Sequence, residues 1–294
     1  MKVLQCITSL AAGGAEKLLV DAAIQYHLKG IEVDILCLSN KKSPFVEKLK
    51  PYPKINVYQL GEHSKVYNIK HIFSLKKFFK NYDLIHVHLF PAIYWAVLAK
   101  MLSFNKTKIV FTEHNTTNRR RDSFIFTLTD RFVYKFIDRV VSISDAVDTS
   151  LKTHLGKNFT GIEKIYNGID LQEIQKAQPY SKKELGLLEN GKAILQVSSF
   201  TPQKNQQTLI EAVALLPDNF EVVFVGDGAL RAQCEQLAKK LSVEKRVHFF
   251  GIRKDVPKLL KSVDLVVLSS HFEGLSLASV EGLASGKPFL ASDV

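Results

Sequence analysis

The chain has 294 residues, 46% of them hydrophobic, enough for a sizeable core and a better fit to two domains of ordinary size than to one. Its net charge of +11 lies wholly in the first part: residues 1–160 carry 24 Lys and Arg against 13 Asp and Glu, hence +11, while residues 161–294 carry 16 of each. The longest uncharged apolar run, LFPAIYWAVLA from Leu89, is too short to cross a bilayer as a helix, and no basic cluster interleaved with aromatics points to a nucleic-acid partner.

The opening MKVLQCITSLAAGGA has the Lys, apolar run and Ala-rich end of an export leader. Gln5, Thr8 and Ser9 interrupt it, and it runs on into the helical pattern AEKLLVDAAIQYHLKG, so it reads as a first strand and helix. Strand-like runs EVDILCL, INVYQL, DLIHVH, KIVFTEH, RVVSIS and GIEKIY follow, most of them separated by stretches of helical length. From Tyr166 to Ala193, polar residues, Pro179 and glycines interrupt this rhythm, which resumes with AILQVSS, FEVVFVG, RVHFFG, DLVVLSS and PFLASD. Such alternation predicts an α/β fold with two Rossmann-like, doubly wound parallel sheets, ligands lying at the carboxyl ends of the strands. The expected domains are residues 1–165 and 193–294, joined by a segment over 166–192.

Cys6, Cys37 and Cys234 show no pairing or metal-ligand spacing and read as reduced, buried thiols of a cytoplasmic protein. His86 and His88 lie two apart on one strand and so share a face, but no third ligand at a fitting spacing accompanies them, and no metal site is expected. His114 directly follows the next strand, either a satisfied loop residue or a cleft-lining one. The lysines around Lys41, Lys50, Lys76 and Lys80, with Arg119 to Arg121, each suit a solvated surface and together suit an anionic partner.

The densest constellation is FEGLSLASVEGLASGKP, where Glu273 and Glu281 flank a predicted helix start after a strand. The backbone N–H groups of Gly274, Leu275 and Ser276 lead into that helix, and a helix start accommodates phosphate. Glu273 either faces a sugar hydroxyl or merely favours the helix start. Glu281 either accepts from a ribose diol, for which a carboxylate is a bidentate acceptor, or is a solvated helix residue. Lys204, opening a helix after the strand AILQVSS, is placed for a phosphate. Gly13 and Gly14 in GGAE, and Gly226 and Gly228 in GDG, are either tight turns or points of close backbone approach to a ligand.

This segment resembles the E-x7-E motif of the retaining, GT-B fold glycosyltransferases of family 4, and the similarity extends over nearly the whole chain. SLAAGGAEKLL is similar to that family's glycine-rich acceptor loop, YNGID to its interdomain segment, QKNQQTLIEA to its donor-site lysine region, and VFVGDGALR and FFGIRKDVPKLL to its nucleotide-proximal loops. The resemblance implies two domains facing a central cleft, the second lacking its closing elements at the C-terminal end. It implies transfer of a sugar from a UDP- or GDP-linked donor to a glycan or lipid-linked acceptor with retention, without a cofactor, in bacterial surface polysaccharide or glycolipid assembly. His114, Lys204 and Glu273 take the places of its catalytic residues, and Ile252 and Arg253 lie where its backbone reads the base edge. Ser199 departs from the pattern, standing where the family usually carries a second phosphate-binding cation, an arginine, for which Arg253 is a candidate substitute by sequence. A weak or inactive nucleotide-sugar-binding fragment is the alternative expectation. The basic first domain suggests peripheral association with the anionic inner face of the cytoplasmic membrane.

Overall fold

A computed structural model describes residues 1–11, 13–40, 45–61, 65–116, 123–156 and 159–294; Lys41 and Arg119 to Arg121 of the basic set lie outside the described residues. The chain divides into two compact units, 1–167 and 168–294.

In the first unit the order is β1 (Lys2–Ile7), α1 (Gly14–Leu28), β2 (Glu32–Cys37), α2 (Phe45–Leu49), β3 (Val57–Gln59), α3 (Lys70–Phe78), β4 (Leu84–His88), α4 (Ala92–Ser103), β5 (Lys108–Glu113), α5 (Phe124–Tyr134), β6 (Arg139–Ser142), α6 (Asp145–Leu155) and β7 (Ile162–Lys164). These strands form a parallel sheet in the order β3-β2-β1-β4-β5-β6-β7. The inner strands are largely buried and, apart from Gln5, His86, His88 and the end of β5, mostly apolar, the pattern of a buried parallel sheet. Val3, Ile7 and Ile35 pack under α1 through Leu19, Val20 and Ala23. Cys6 and Cys37, free and buried in neighbouring strands, have thiols that burial pushes up, that of Cys37 to about 12.

The second unit contains α7 (Leu171–Gln175), β8 (Lys192–Val197), α8 (Gln206–Leu215), β9 (Phe220–Val225), α9 (Arg231–Lys240), β10 (Val247–Phe249), α10 (Val256–Ser262), β11 (Leu265–Leu268), α11 (Leu277–Ala284) and β12 (Phe289–Ala291). Its parallel sheet has the order β10-β9-β8-β11-β12. Asp170 caps α7, accepting from the N–H groups of Gln172 and Glu173, and buried Ile174 seats this short helix beside α10 and α11.

Both sheets therefore reverse their winding next to the first strand of each unit, between β1 and β4 and between β8 and β11. At such a reversal the loops leaving adjacent strands diverge to opposite faces and leave a crevice at the strand carboxyl ends. Among the described residues no helix is long and apolar enough to cross a membrane.

Candidate functional site

In the second unit the two loops at the switch point are those after β8 and β11, and the structure joins them tightly. The His271 N–H donates to the Gln203 carbonyl at 2.8 Å, and the Gln203 side-chain amide donates to the Phe272 carbonyl, also at 2.8 Å. Ser269 Oγ lies 2.8 Å from the Asn205 carbonyl and 3.1 Å from Gln196 Oε1. Gln196, fully buried in the central strand, donates through Nε2 to the Lys204 carbonyl at 2.9 Å. Asn205 turns the chain through a left-handed conformation, φ 46°, into α8.

This framework fixes the backbone of Lys204, whose Nζ sits 2.5 Å from Glu273 Oε1, the two side chains being 17% and 15% exposed. Lys204 and Glu273, 69 residues apart in sequence, are thus one mostly buried ion pair at the switch point. Gly274, Leu275 and Ser276 follow Glu273 directly and lead into α11, with Ser276 as its N-cap residue. Glu281, on the second turn of α11, is buried at 8% exposure, so it is not a solvated helix residue. Its neighbour Gly282 lets α11 lie close on the sheet: a Cβ there would meet the Phe289 ring at 2.7 Å and Val266 Cγ1 at 3.1 Å.

Gly226 and Gly228 have a packing reason of their own. A Cβ on Gly226, at φ 136°, would fall 2.1 Å from the Ser198 carbonyl oxygen, and one on Gly228 2.5 Å from that of Phe200. The β9–α9 loop thus lies directly on the β8–α8 loop, tied by bonds from Phe200 N–H to the Asp227 carbonyl and from Leu230 N–H to the Phe200 carbonyl. Ser199 sits in that sandwiched loop, its carbonyl accepting from Gln206. Ile252 is exposed. Arg253 is held in a fork by Asp255, with bonds of 2.8 and 2.6 Å, and Tyr180 donates to the same carboxylate. The guanidinium beside Asp255 holds that carboxyl well below the usual range. The arginine side chain is therefore already engaged rather than standing in for the cation missing at Ser199.

In the first unit the switch point carries Gly13 and Gly14 after β1 and the histidines of β4 and β5. Gly13 is the N-cap of α1, and a Cβ on it would run into the Glu16 carboxylate, at 2.4 Å, which folds back over the helix start. His86, His88 and His114 form a cluster of mutually tilted rings, with centroids 4.3 Å apart for the first two and 5.3 Å for the last two. His86 Nε2 lies 2.7 Å from Thr112 Oγ1, His88 Nδ1 3.0 Å from His114 Nε2, and His88 Nε2 2.8 Å from Gln5 Oε1. Burial lowers all three imidazoles, His86 and His114 to about 4, with mutual repulsion adding for His86 and His88. They are neutral near pH 7. Among the described residues no three His, Cys, Asp or Glu side chains are grouped to hold a metal ion.

Gln5 and Gln196 are the parts of these sites that motif reasoning passed over. Each is a fully buried amide in the first strand of its unit, inside a run that is otherwise apolar. A lone Gln in KVLQCI and in AILQV is itself the signal, because a central parallel strand tolerates a buried amide only when partners meet it.

Residues 12–173 match the model of Glycosyltransferase Family 4, and residues 178–294 match that of Glycosyl transferases group 1. The chain belongs to glycosyltransferase family 4. Among its relatives, N-acetyl-alpha-D-glucosaminyl L-malate synthase of Bacillus anthracis is 32% identical over 73% of this chain and 58% of its own length, so the match spans less than two thirds of that relative. The N-acetylgalactosamine-N,N'-diacetylbacillosaminyl-diphospho-undecaprenol 4-alpha-N-acetylgalactosaminyltransferase of Campylobacter jejuni is 27% identical over 98% of this chain and 79% of its own. The crystal structure of Anabaena HepE in complex with UDP and glucose superimposes with a TM-score of 0.84 at 24% identity, covering 100% of this chain and 81% of HepE. The fold is the GT-B type of this family, two parallel-sheet α/β domains.

Proposed function

We propose that this family 4 chain is a retaining glycosyltransferase that moves a hexosyl group from a UDP- or GDP-linked sugar to a hydroxyl of a glycan or lipid-linked acceptor. The observation that carries this reading is the Lys204–Glu273 pair at the switch point of the second sheet, beside the start of α11. An ammonium next to a helix start suits a diphosphate, and a carboxylate at the same spot suits a sugar hydroxyl. Buried Glu281, one turn into α11, is the acceptor for the ribose diol. Gly226, Gly228, Ile252 and the backbone of Arg253 flank the nucleotide, and Gly13, Gly14 and His114 serve the acceptor side.

In the reaction the bond from the anomeric carbon to the phosphate oxygen breaks, and its electron pair leaves with the diphosphate. Lys204 and the first-turn N–H groups of α11 stabilise the charge that develops there. The acceptor oxygen forms the new bond on the face the diphosphate vacates, and its proton passes to a phosphate oxygen of the leaving group. No cofactor is invoked. Ser199 lacks the charge of the family's usual arginine, and a missing charge-assisted contact of about 1.5–3 kcal/mol would slow transfer ten- to a hundredfold. That departure supports a second reading, a nucleotide-sugar binder with weak or no transfer.

The partner surface we infer is an anionic membrane, with the protein on the cytoplasmic face and engaged in surface-polysaccharide or glycolipid assembly. Support comes from α5, which buries Asp130, Val133 and Tyr134 and turns Phe124, Ile125, Leu128 and Phe132 outward at 80, 74, 59 and 49% exposure. An exposed apolar face on a unit carrying the whole positive excess is the combination found in interfacial helices. The test of function is incubation with UDP- and GDP-sugars carrying 13C at the anomeric carbon, with lipid-linked and glycan acceptors, followed by NMR. Product with the donor's anomeric configuration supports transfer with retention; inverted product overturns it, and binding without transfer selects the second reading.

A further inference from the structure

We propose that Gln5 and His88 are positioning residues that fix the ring tautomer of His114, so that His114 offers a bare Nδ1 as acceptor for a ligand hydroxyl. One buried line of polar atoms fixes where each proton sits. With the Gln5 carbonyl turned towards His88, Oε1 accepts, so His88 Nε2, 2.8 Å away, carries the hydrogen. A neutral imidazole has one N–H, so His88 Nδ1 is bare and must accept. His114 Nε2, 3.0 Å from that nitrogen, is the donor to it. His114 has then spent its single N–H inward, and Nδ1 is left with a lone pair.

The line is held at both ends. Gln5 is fully buried in β1 and His88 is 2% exposed in β4, so neither has water to exchange partners with. Parallel pairing puts Gln5 opposite His86 and His88 opposite Thr112, which locks the register of the cluster across three strands. The His86 ring centroid lies 4.3 Å from that of His88, and an extra proton within the cluster would bring positive charge into a dry site, which burial already disfavours. Among the described residues Gln5 Nε2 meets no hydrogen-bond partner, so the contact of its carbonyl with His88 is what holds the amide.

The chemical consequence is selective. A His114 with bare Nδ1 accepts from a hydroxyl and cannot protonate a leaving group, which suits an acceptor or sugar hydroxyl rather than a general-acid role. This consequence rests on the reading of His114 as part of the acceptor site; the tautomer assignment itself does not.

The experiment is long-range 1H–15N NMR of the full chain labelled with 15N in the histidine rings, at pH 7. His114 is expected as the Nε2–H tautomer in the unsubstituted protein, so the first spectrum already decides: a proton on Nδ1 overturns the proposal. His88→Leu should release His114 to a mixture of tautomers, whereas His88→Gln, whose amide can donate to Gln5 Oε1 and accept from His114, should keep the Nε2–H form. An unchanged His114 in His88→Leu also overturns it. In the transfer assay His88→Leu should lower kcat about three- to tenfold with KM for the donor unmoved, as the loss of one hydrogen bond implies, and His88→Gln should restore most of it. Full kcat in His88→Leu beside a slow His114→Ala overturns the positioning role. A fully active His114→Ala refutes instead the place given to His114 in the acceptor site, and the NMR result still decides the tautomer.

Discussion

The Lys204–Glu273 pair makes a prediction with opposite signs for its two members. The Lys204 ammonium is neutralised by a carboxylate 2.5 Å away, with both side chains less than one-fifth exposed. A nucleoside diphosphate must therefore compete with Glu273 for Lys204 and also approach a negative charge. Lys204→Met removes a charge-assisted hydrogen bond to phosphate, about 1.5–3 kcal/mol, which is a roughly ten- to hundredfold weaker Kd for UDP or GDP. Glu273→Gln removes the competitor and the repulsion. It should tighten the bare diphosphate by about 1 kcal/mol, some fivefold, while abolishing any preference for the nucleotide-sugar over the nucleotide. Stability moves too, because one-sided loss of a buried pair costs about 3–5 kcal/mol and the residual exposure here argues for the low end. Isothermal titration with UDP, GDP and their sugars, beside urea denaturation of each variant, measures all of this. A Glu273→Gln protein that loses diphosphate affinity as steeply as Lys204→Met would refute the competition argument.

Three further outcomes follow from other parts of the molecule. His86 and His114 have folded-state values near 4, below the ordinary 6.5, so the unfolded chain binds more protons below about pH 6.5 and stability falls as pH drops from 6.5 towards 4. At about 1.4 kcal/mol per pH unit for each histidine, roughly 2 kcal/mol each is lost by pH 5. The urea midpoint of His114→Gln should therefore fall less between pH 7 and 5 than that of the unsubstituted chain, and equal falls would contradict the assignment. Gly226→Ala places a Cβ 2.1 Å from the Ser198 carbonyl at a φ of 136°, so it should lose at least about 2 kcal/mol in denaturant unfolding; a near-neutral change would mean the two loops do not press together. Ile125→Ser combined with Leu128→Ser removes two exposed apolar side chains from α5, and should weaken co-sedimentation with anionic vesicles at low salt by about tenfold or more while leaving the melting temperature unmoved. Unchanged vesicle binding would remove α5 from the membrane account.

The twelve strand-like runs were legible because buried parallel strands write themselves as unbroken aliphatic stretches. INVYQL and GIEKIY shrink to three-residue strands because β3 and β7 are the edges of their sheet, paired on one side only. The switch-point loops were legible as motifs, since strand ends followed by Gly, Lys and Glu mark where ligands approach. The side-chain partnerships were not, because they join distant positions: Lys204 meets Glu273 across 69 residues, and His88 meets Gln5 across 83. Gly226 and Gly228 read from the sequence as a short turn or as a ligand-facing loop; the loop stacking on Ser198 and Phe200 supplies the backbone reason. Arg253 looks like a spare cation until Asp255, two residues on, is seen to clasp it. The apolar pattern of FIFTLTDRFVY identifies a helix but not the face it leaves exposed, which depends on what Asp130, Val133 and Tyr134 find beneath them.

The central claim is that the second unit receives a nucleotide diphosphate-sugar on the Lys204–Glu273 loops. Calorimetric titration of the full chain against the common nucleoside diphosphates and their sugars tests it most directly. One-to-one binding of at least one nucleotide-sugar, lost in Lys204→Met, is the expected result. Failure of every nucleotide and nucleotide-sugar to bind, or binding indifferent to Lys204→Met, would contradict it.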